Sequence, residues 1–275
     1  MRLSRGNRVL LHVVALIYVV ILTFPLLFMF MNSIRTEGDI IQSPVAIPTG
    51  ITTENFDEIF GASTFAVNLR NSFLVAAITV CLTLVVTAPA GYAMSRFRFR
   101  GKGLFSMWLL ATQAFPGIIM ILGVFTLFRA YDLLNTRAGL VIMHTSFSVP
   151  FSVWLLKGYF DGIPGALEEA AMIDGCSRGR ALLRIILPLA VPGLLGVATF
   201  SFLLSWNEFF FALIVTRDEM LFTLPVFLSR FLGTGGSVRW GPLSAAALLA
   251  TLPALGLFVL GQRYLISGLT GGSVK

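Results

Sequence analysis

Six stretches of this sequence run for about twenty residues or more with almost no charge: Val9–Met31, Asn71–Met94, Leu104–Phe128, Ala138–Leu156, Leu187–Val215 and Leu243–Gln262. They carry a single acid between them, Glu208. A helix needs about 20 apolar residues to cross a bilayer core, so each run has the length of one span. Lipid offers the backbone no hydrogen-bond partner, which leaves helices and closed barrels as the spanning forms. A barrel strand alternates polar and apolar residues over about ten positions, and these runs do not alternate. The expected fold is therefore an all-α, polytopic membrane protein with six transmembrane helices. Composition agrees: 12% of the 275 residues are charged, against about 25% in soluble domains.

Arg2, Arg5 and Arg8 stand ahead of the first run, as in a signal peptide. The run is longer than a signal core and ends in FMFMNS with no small-residue cleavage site, so it reads as an uncleaved span. Cys81 lies in the second run and Cys176 in a charged segment, and no disulfide is expected. With the N-terminus in the cytoplasm, thirteen of the 20 lysines and arginines fall on inside segments and seven outside. This excess predicts that both termini are cytoplasmic. The net charge of +7 and the stretch RFRFRGK (Arg96–Lys102) raise the question of nucleic acid. A cytoplasmic anchor between the second and third spans accounts for both, and no nucleic-acid partner is expected.

Between the fourth and fifth runs, Leu167–Pro188 (LEEAAMIDGCSRGRALLRIILP) holds three acids and three arginines. The same orientation puts Lys157–Ile186 in the cytoplasm. Pro164 suits a first helical turn and Gly175 a C-terminal cap. Glu168 and Glu169 sit where a helix dipole favours acids. Ala170 and Ala171 keep the surface low enough for another chain to approach. Ser177 suits the cap of a second helix, bearing Arg178, Arg180 and Arg184, that runs into the fifth span. Physical reasoning leaves two readings of this insert: a docking knob joined to two membrane helices, or an amphipathic loop held by its own charges.

The spacing Glu169-Ala170-Ala171, three residues, Gly175, nine residues, Ile185-x-Leu187-Pro188 matches at every defined position the EAA signature of ABC importer permeases. YAMSRFRFRGK (Tyr92–Lys102), SWNEFFFAL (Ser205–Leu213) and GLTGGSVK (Gly268–Lys275) add to the likeness, while Cys176 and Gly179 depart from it. The sequence resembles the membrane subunits of binding-protein-dependent sugar importers, most of all the G-type subunit of maltose-like systems, over about its last 210 residues.

The resemblance implies a type I ABC importer permease fold. Residues 1–70 would form a first helix and extracytoplasmic segment, 71–265 a core permease domain with coupling helices at 157–186, and 266–275 a cytoplasmic tail. It implies that the insert docks on a separate ATPase through Glu169, Ala170, Ala171, Asp174, Gly175, Ile185, Leu187 and Pro188, and that Gly271, Gly272 and Lys275 of the tail reach the same partner. The implied partners are a second related permease subunit, two ATPase subunits carrying ATP and Mg, an extracytoplasmic sugar-binding protein, and a sugar or oligosaccharide. The implied setting is the lipid of a prokaryotic cytoplasmic (inner) membrane. This chain reads as a transport subunit rather than an enzyme. It has no G-x-x-x-x-G-K-[ST] loop, and no cofactor or metal of its own is expected, its two histidines, His12 and His144, lying on different runs.

Asn207 and Glu208 lie in the outer part of the fifth run. Ionisable groups in a bilayer face a cavity or a partner, so these two either line the substrate path or its gate, or bond one helix to another. Gln113 beside the Pro116–Gly117 kink, and His144, Ser146 and Ser148, are weaker candidates. Other classes stay open: an importer for a non-sugar solute, an ion-coupled secondary transporter, which needs membrane acids and often inverted repeats, and an intramembrane enzyme.

Overall fold

Helices follow the apolar runs, and prolines and polar residues inside those runs decide where the helices stop. The computed structural model describes residues 5–44, 48, 50–233 and 237–270. In chain order the helices are α1 (Arg5–Ser33), α2 (Glu37–Gln42), α3 (Glu54–Gly61), α4 (Phe65–Arg96), α5 (Lys102–Thr112), α6 (Gly117–Ala130), α7 (Arg137–Asp161), α8 (Ala166–Ile173), α9 (Arg178–Ala181), α10 (Leu187–Leu189), α11 (Val191–Trp206), α12 (Phe210–Val215), α13 (Leu224–Leu228) and α14 (Trp240–Thr270). A π-helical turn, Leu182–Ile186, joins α9 to α10. Among the described residues four helices are long and apolar enough to cross a membrane, and two bent pairs raise the number of spans to as many as six.

Two of the expected six spans are thus bent pairs rather than single helices. The third run, Leu104–Phe128, is α5 and α6 meeting at 94°. Pro116 has no N–H to donate and pushes Phe115 out of helical geometry. The last turn of α5 tightens, with Gln113 and Ala114 donating to the carbonyls of Leu110 and Ala111, each at 3.1 Å. At the fifth run, the segment Arg178–Leu189 meets α11 at 76°. Pro188 and Pro192 each remove a backbone donor there, and the π-turn takes up the misfit. The second helix of the insert therefore bends sharply before the fifth span instead of running straight into it. The span is broken again beyond Trp206, and α12 resumes only at Phe210.

The chain divides into two compact units. One comprises Met1–Phe65 with Leu228–Pro253. The segment Leu228–Pro253, which the sequence reading left with the core, is stapled to the N-terminal part by charge. Arg239 forks onto the Glu58 carboxylate at 2.5 and 2.7 Å. The carboxylate of Glu37 caps the start of α14, accepting the N–H groups of Trp240 (2.9 Å) and Gly241 (3.0 Å). Beneath them the buried Asn55 donates to the carbonyls of Ser33 (3.0 Å) and Arg35 (2.8 Å).

The other unit is Ala66–Phe227 with Ala254–Lys275. Its centre is α4 and α11 packed on α7. Glycines allow the close approach: a Cβ on Gly91 would stand 2.9 Å from Leu156 Cβ, and one on Gly193 would stand 2.6 Å from the Tyr159 ring. One apolar cluster, including Tyr92, Leu156, Phe160, Ile186 and Val197, packs at the insert end of α7. A second, including Leu140, Met143, Phe211, Ala212 and Val226, packs at its other end.

Overpacking of this kind costs about 1–3 kcal/mol. Gly91→Ala is accordingly expected to lower the thermal unfolding midpoint in detergent, by forcing α4 off α7. Gly103→Ala in α5, where nothing stands within 4 Å, is expected to leave the midpoint unchanged or raise it.

Candidate functional site: a charged knob and a buried polar seam

The insert folds as helix, glycine turn, helix. Pro164 lies two residues ahead of α8 rather than in its first turn, its carbonyl accepting from Leu167 N–H at 3.3 Å. The turn closes at Gly175, whose φ of +83° is left-handed, a conformation that glycine adopts at little cost. Cys176 N–H returns to the Ala171 carbonyl at 2.9 Å and Gly175 N–H to that of Met172 at 3.1 Å. Ser177 then caps α9 by accepting from Arg180 N–H.

The residues of the signature point in different directions. Glu169, Ala170 and Asp174 are exposed, and Ile173 beside them is 86% exposed. Ala171 is buried, so only one of the two alanines leaves room for another chain. Ile185 and Leu187 are partly buried against the apolar cluster of their own unit, and Pro188 is exposed. Gly271, Gly272 and Lys275 lie outside the described residues.

Glu168, one residue before the signature, is buried. One carboxylate oxygen accepts the Tyr92 hydroxyl, and the other lies 3.3 Å from Arg96 Nε. Arg96 also donates through Nη2 to the Ile163 carbonyl at 2.8 Å. Tyr92 is itself buried, its ring edge-on to Phe97 and Phe160, and the Arg178 guanidinium sits 5.3 Å over Phe97. Ser95 donates to Asp161 at 2.6 Å, and Lys157 pairs with that same carboxylate at 2.6 Å. The stretch expected to be a simple cytoplasmic anchor thus clasps the insert through Arg96. The sequence held a signal for this: successive residues on a helix point about 100° apart, so of two adjacent glutamates on a docked helix only one can face its own chain.

A second polar cluster runs between α7 and α11. His144, Ser148 and Ser152 recur every four residues on α7, and Ser201 and Ser205 face them from α11; all five are buried. Ser148 and Ser201 share a hydrogen bond of 2.6 Å, and His144 Nδ1 shares one of 2.7 Å with Ser205. His144 Nε2 lies 3.4 Å from the Glu208 carboxylate. That carboxylate also accepts the N–H groups of Phe211 (2.8 Å) and Ala212 (2.9 Å), capping α12. Its neighbour Asn207 is exposed and returns its amide to the Leu203 carbonyl at 2.8 Å. Gln113, also exposed, donates across to the Phe147 carbonyl at 3.1 Å. Ser146 faces away from the seam and bonds back to Ile142. Of the two readings of Asn207 and Glu208, Glu208 makes the helix-to-helix bond. No three His, Cys, Asp or Glu side chains converge as a metal site among the described residues.

Comparison with known proteins places this geometry. Residues 87–270 match the family of the binding-protein-dependent transport system inner membrane component. The diacetylchitobiose uptake system permease protein DasC of Streptomyces coelicolor is 36% identical over 276 residues, covering 100% of both chains. The trehalose/maltose transport system permease protein MalG of Thermococcus litoralis is 34% identical, covering 98% of this chain and 97% of that one. The likeness thus takes in the first span as well as the last 210 residues. In fold, the chain matches a subunit of a bacterial ABC transporter that imports the acidic polysaccharide alginate, with a TM-score of 0.80, 24% identity, and coverage of 96% of this chain and 99% of that one.

The opposed directions of Asn207 and Glu208 give a differential prediction. Glu208→Ala strands two helix-start N–H groups and His144, and is expected to lose about 2 kcal/mol of stability. Asn207→Ala is expected to stay within about 0.5 kcal/mol. Thermal unfolding of the two variants in detergent measures both.

Proposed function

The chain belongs to the family of binding-protein-dependent transport system inner membrane components, and on that footing we propose that it conducts a sugar or oligosaccharide through the membrane by alternating access, driven by ATP hydrolysed on separate subunits. The observation that carries this is the exposed Glu169–Ala170–Asp174 face, presented on a left-handed Gly175 turn and fixed to the membrane helices. A short helix with a charged, low surface seats in a groove of a partner. In this reading the termini lie in the cytoplasm, two ATPase subunits with ATP and Mg hold this knob and that of a second permease subunit, and the tail residues Gly271, Gly272 and Lys275 touch the ATPase. A binding protein delivers substrate on the opposite side. The relatives named for diacetylchitobiose and for trehalose/maltose support a sugar as the substrate.

For the path, Asn207 and Gln113 are the proposed lining residues, since both lie exposed at breaks in the broken spans. Glu208 holds the break at Asn207 in place. Glu208 is also the one acid in the six apolar runs, and it is committed to two backbone N–H groups and His144. That commitment favours ATP over an ion gradient as the driving force.

Glu169→Lys and Gly175→Val are expected to abolish uptake while the protein still inserts. Copurified ATPase should be lost, or should hydrolyse ATP regardless of substrate. An acidic residue at the facing ATPase position should rescue Glu169→Lys. Normal uptake by both single variants would remove the docking role. For the substrate, stimulation of ATPase activity by the loaded binding protein across a panel of sugars and non-sugars is expected to peak with one sugar or oligosaccharide.

A further inference from the structure

Glu168 and Glu169 are neighbours on α8, yet one is buried in its own chain and the other faces out. The outward residue belongs to the docking face proposed above. The inward one makes the contact between the knob and α4, a helix that ends some seventy residues earlier in the chain.

The knob has two covalent connections to the membrane helices, and both are bent. Toward α7 the chain turns through Gly162–Gly165, with Gly162 and Ile163 N–H groups closing on Tyr159 and Phe160 carbonyls. Toward α11 it passes a π-turn and the 76° bend. Backbone bends of this kind are where one element swings against another. The third connection has no chain in it. Tyr92 and Arg96 stand four residues apart, on one face of α4, and each addresses one oxygen of the Glu168 carboxylate. Arg96 simultaneously holds the Ile163 carbonyl, on the bend that leads into the knob. α4 in turn lies hard against α7 at Gly91. Carboxylate, guanidinium and phenol together fix both the approach to the knob and its first helical turn against the second span.

We infer that Glu168 is a positioning residue of transport: its carboxylate, clasped by Tyr92 and Arg96, makes α4 follow the knob when the knob is displaced, so that the second span moves with the fourth. This inference rests on the reading of the knob as the ATPase-docking element. A carboxylate suits the task because one oxygen accepts the phenol while the other sets its charge against the guanidinium, and because a buried charge pair, once one partner is removed, is strongly unfavourable. The clasp therefore holds through a displacement that a neutral contact would not survive. Without it the knob still docks through Glu169, but turns about its two bends and leaves α4 behind.

The test uses the assembled complex in vesicles, with ATPase subunits and binding protein present, and reads ATPase copurification, ATPase rate and sugar moved per ATP hydrolysed. Glu168→Gln is expected to retain the ATPase subunits and to lower sugar moved per ATP about tenfold. Tyr92→Phe keeps the ring packing on Phe97 and Phe160 and removes only the hydroxyl. It is expected to lower the ratio several-fold, which keeps the inference testable if Glu168→Gln fails to fold. Arg96→Lys, which preserves the charge, should fall between wild type and Glu168→Gln. The double variant Tyr92→Phe/Glu168→Gln should be no worse than Glu168→Gln alone, as expected for one shared contact. An unchanged ratio in both single variants overturns the inference. So does a fall in uptake that merely tracks a lower yield of folded protein with the ratio intact. Glu169→Lys is run alongside. If it releases the ATPase while Glu168→Gln transports normally, the docking reading stands and this inference fails alone. If it keeps the ATPase and transports, the docking reading itself fails.

Discussion

A backbone amide or carbonyl that loses its helical partner within a bilayer finds no water to replace it, and much of the polar chemistry in this chain answers to that constraint. Where α11 ends at Trp206, Glu208 takes the first N–H groups of α12 and Asn207 sends its amide back to Leu203. Where α5 ends, Gln113 fastens the break to α7 through the Phe147 carbonyl. The hydroxyls of Ser146 and Thr199 fold back onto carbonyls four residues earlier. His144 and the serines facing it pair between α7 and α11. Several polar residues of the spans thus sit where helices are interrupted or seamed together, and two of the interruptions place a side chain, Asn207 or Gln113, at a break.

The same constraint explains what was legible in the sequence and what was not. The existence of the spans and the all-helical fold followed from run length, because lipid allows few other forms. The helix–glycine–helix insert followed from Gly175 and Ser177, whose backbone preferences are local. The sharpness of the breaks did not follow. Pro116 and Pro188 announce a disturbance, but a 94° or 76° turn depends on what the freed groups bond to afterwards, and those partners lie on other helices. Helix geometry separates two adjacent polar residues, but which of them turns inward was hidden. Asn207 and Glu208, like Glu168 and Glu169, are adjacent polar residues whose division into inner and outer is made by packing that no local pattern encodes.

The knob shows how little separates an outward face from a structural joint. A rotation of about 100° per residue turns Glu168 toward Tyr92 and Arg96 and leaves Glu169, Ala170 and Asp174 outward. Arg96 serves the same end twice, through the carboxylate and through the Ile163 carbonyl. A basic residue near the end of a span is ordinarily read as an anchor to the membrane surface. Here burial and geometry give it a protein partner, while Arg180 lies on the exposed end of the insert.

The stapling of the first unit carries a consequence for biogenesis. Glu37 caps residues 203 and 204 positions downstream, and Glu58 binds Arg239 across 181. A ribosome delivers these partners late, whereas the Glu168 clasp and the His144–Glu208 seam lie wholly within Ala66–Phe227. Domains acquire structure as their parts emerge, so the clasp and the seam have both partners in hand while the leading end still waits, the carboxylates of Glu37 and Glu58 open, for the closing segment. The first helix to be made thus belongs to a unit whose closing contacts come from residues some two hundred positions later in the chain.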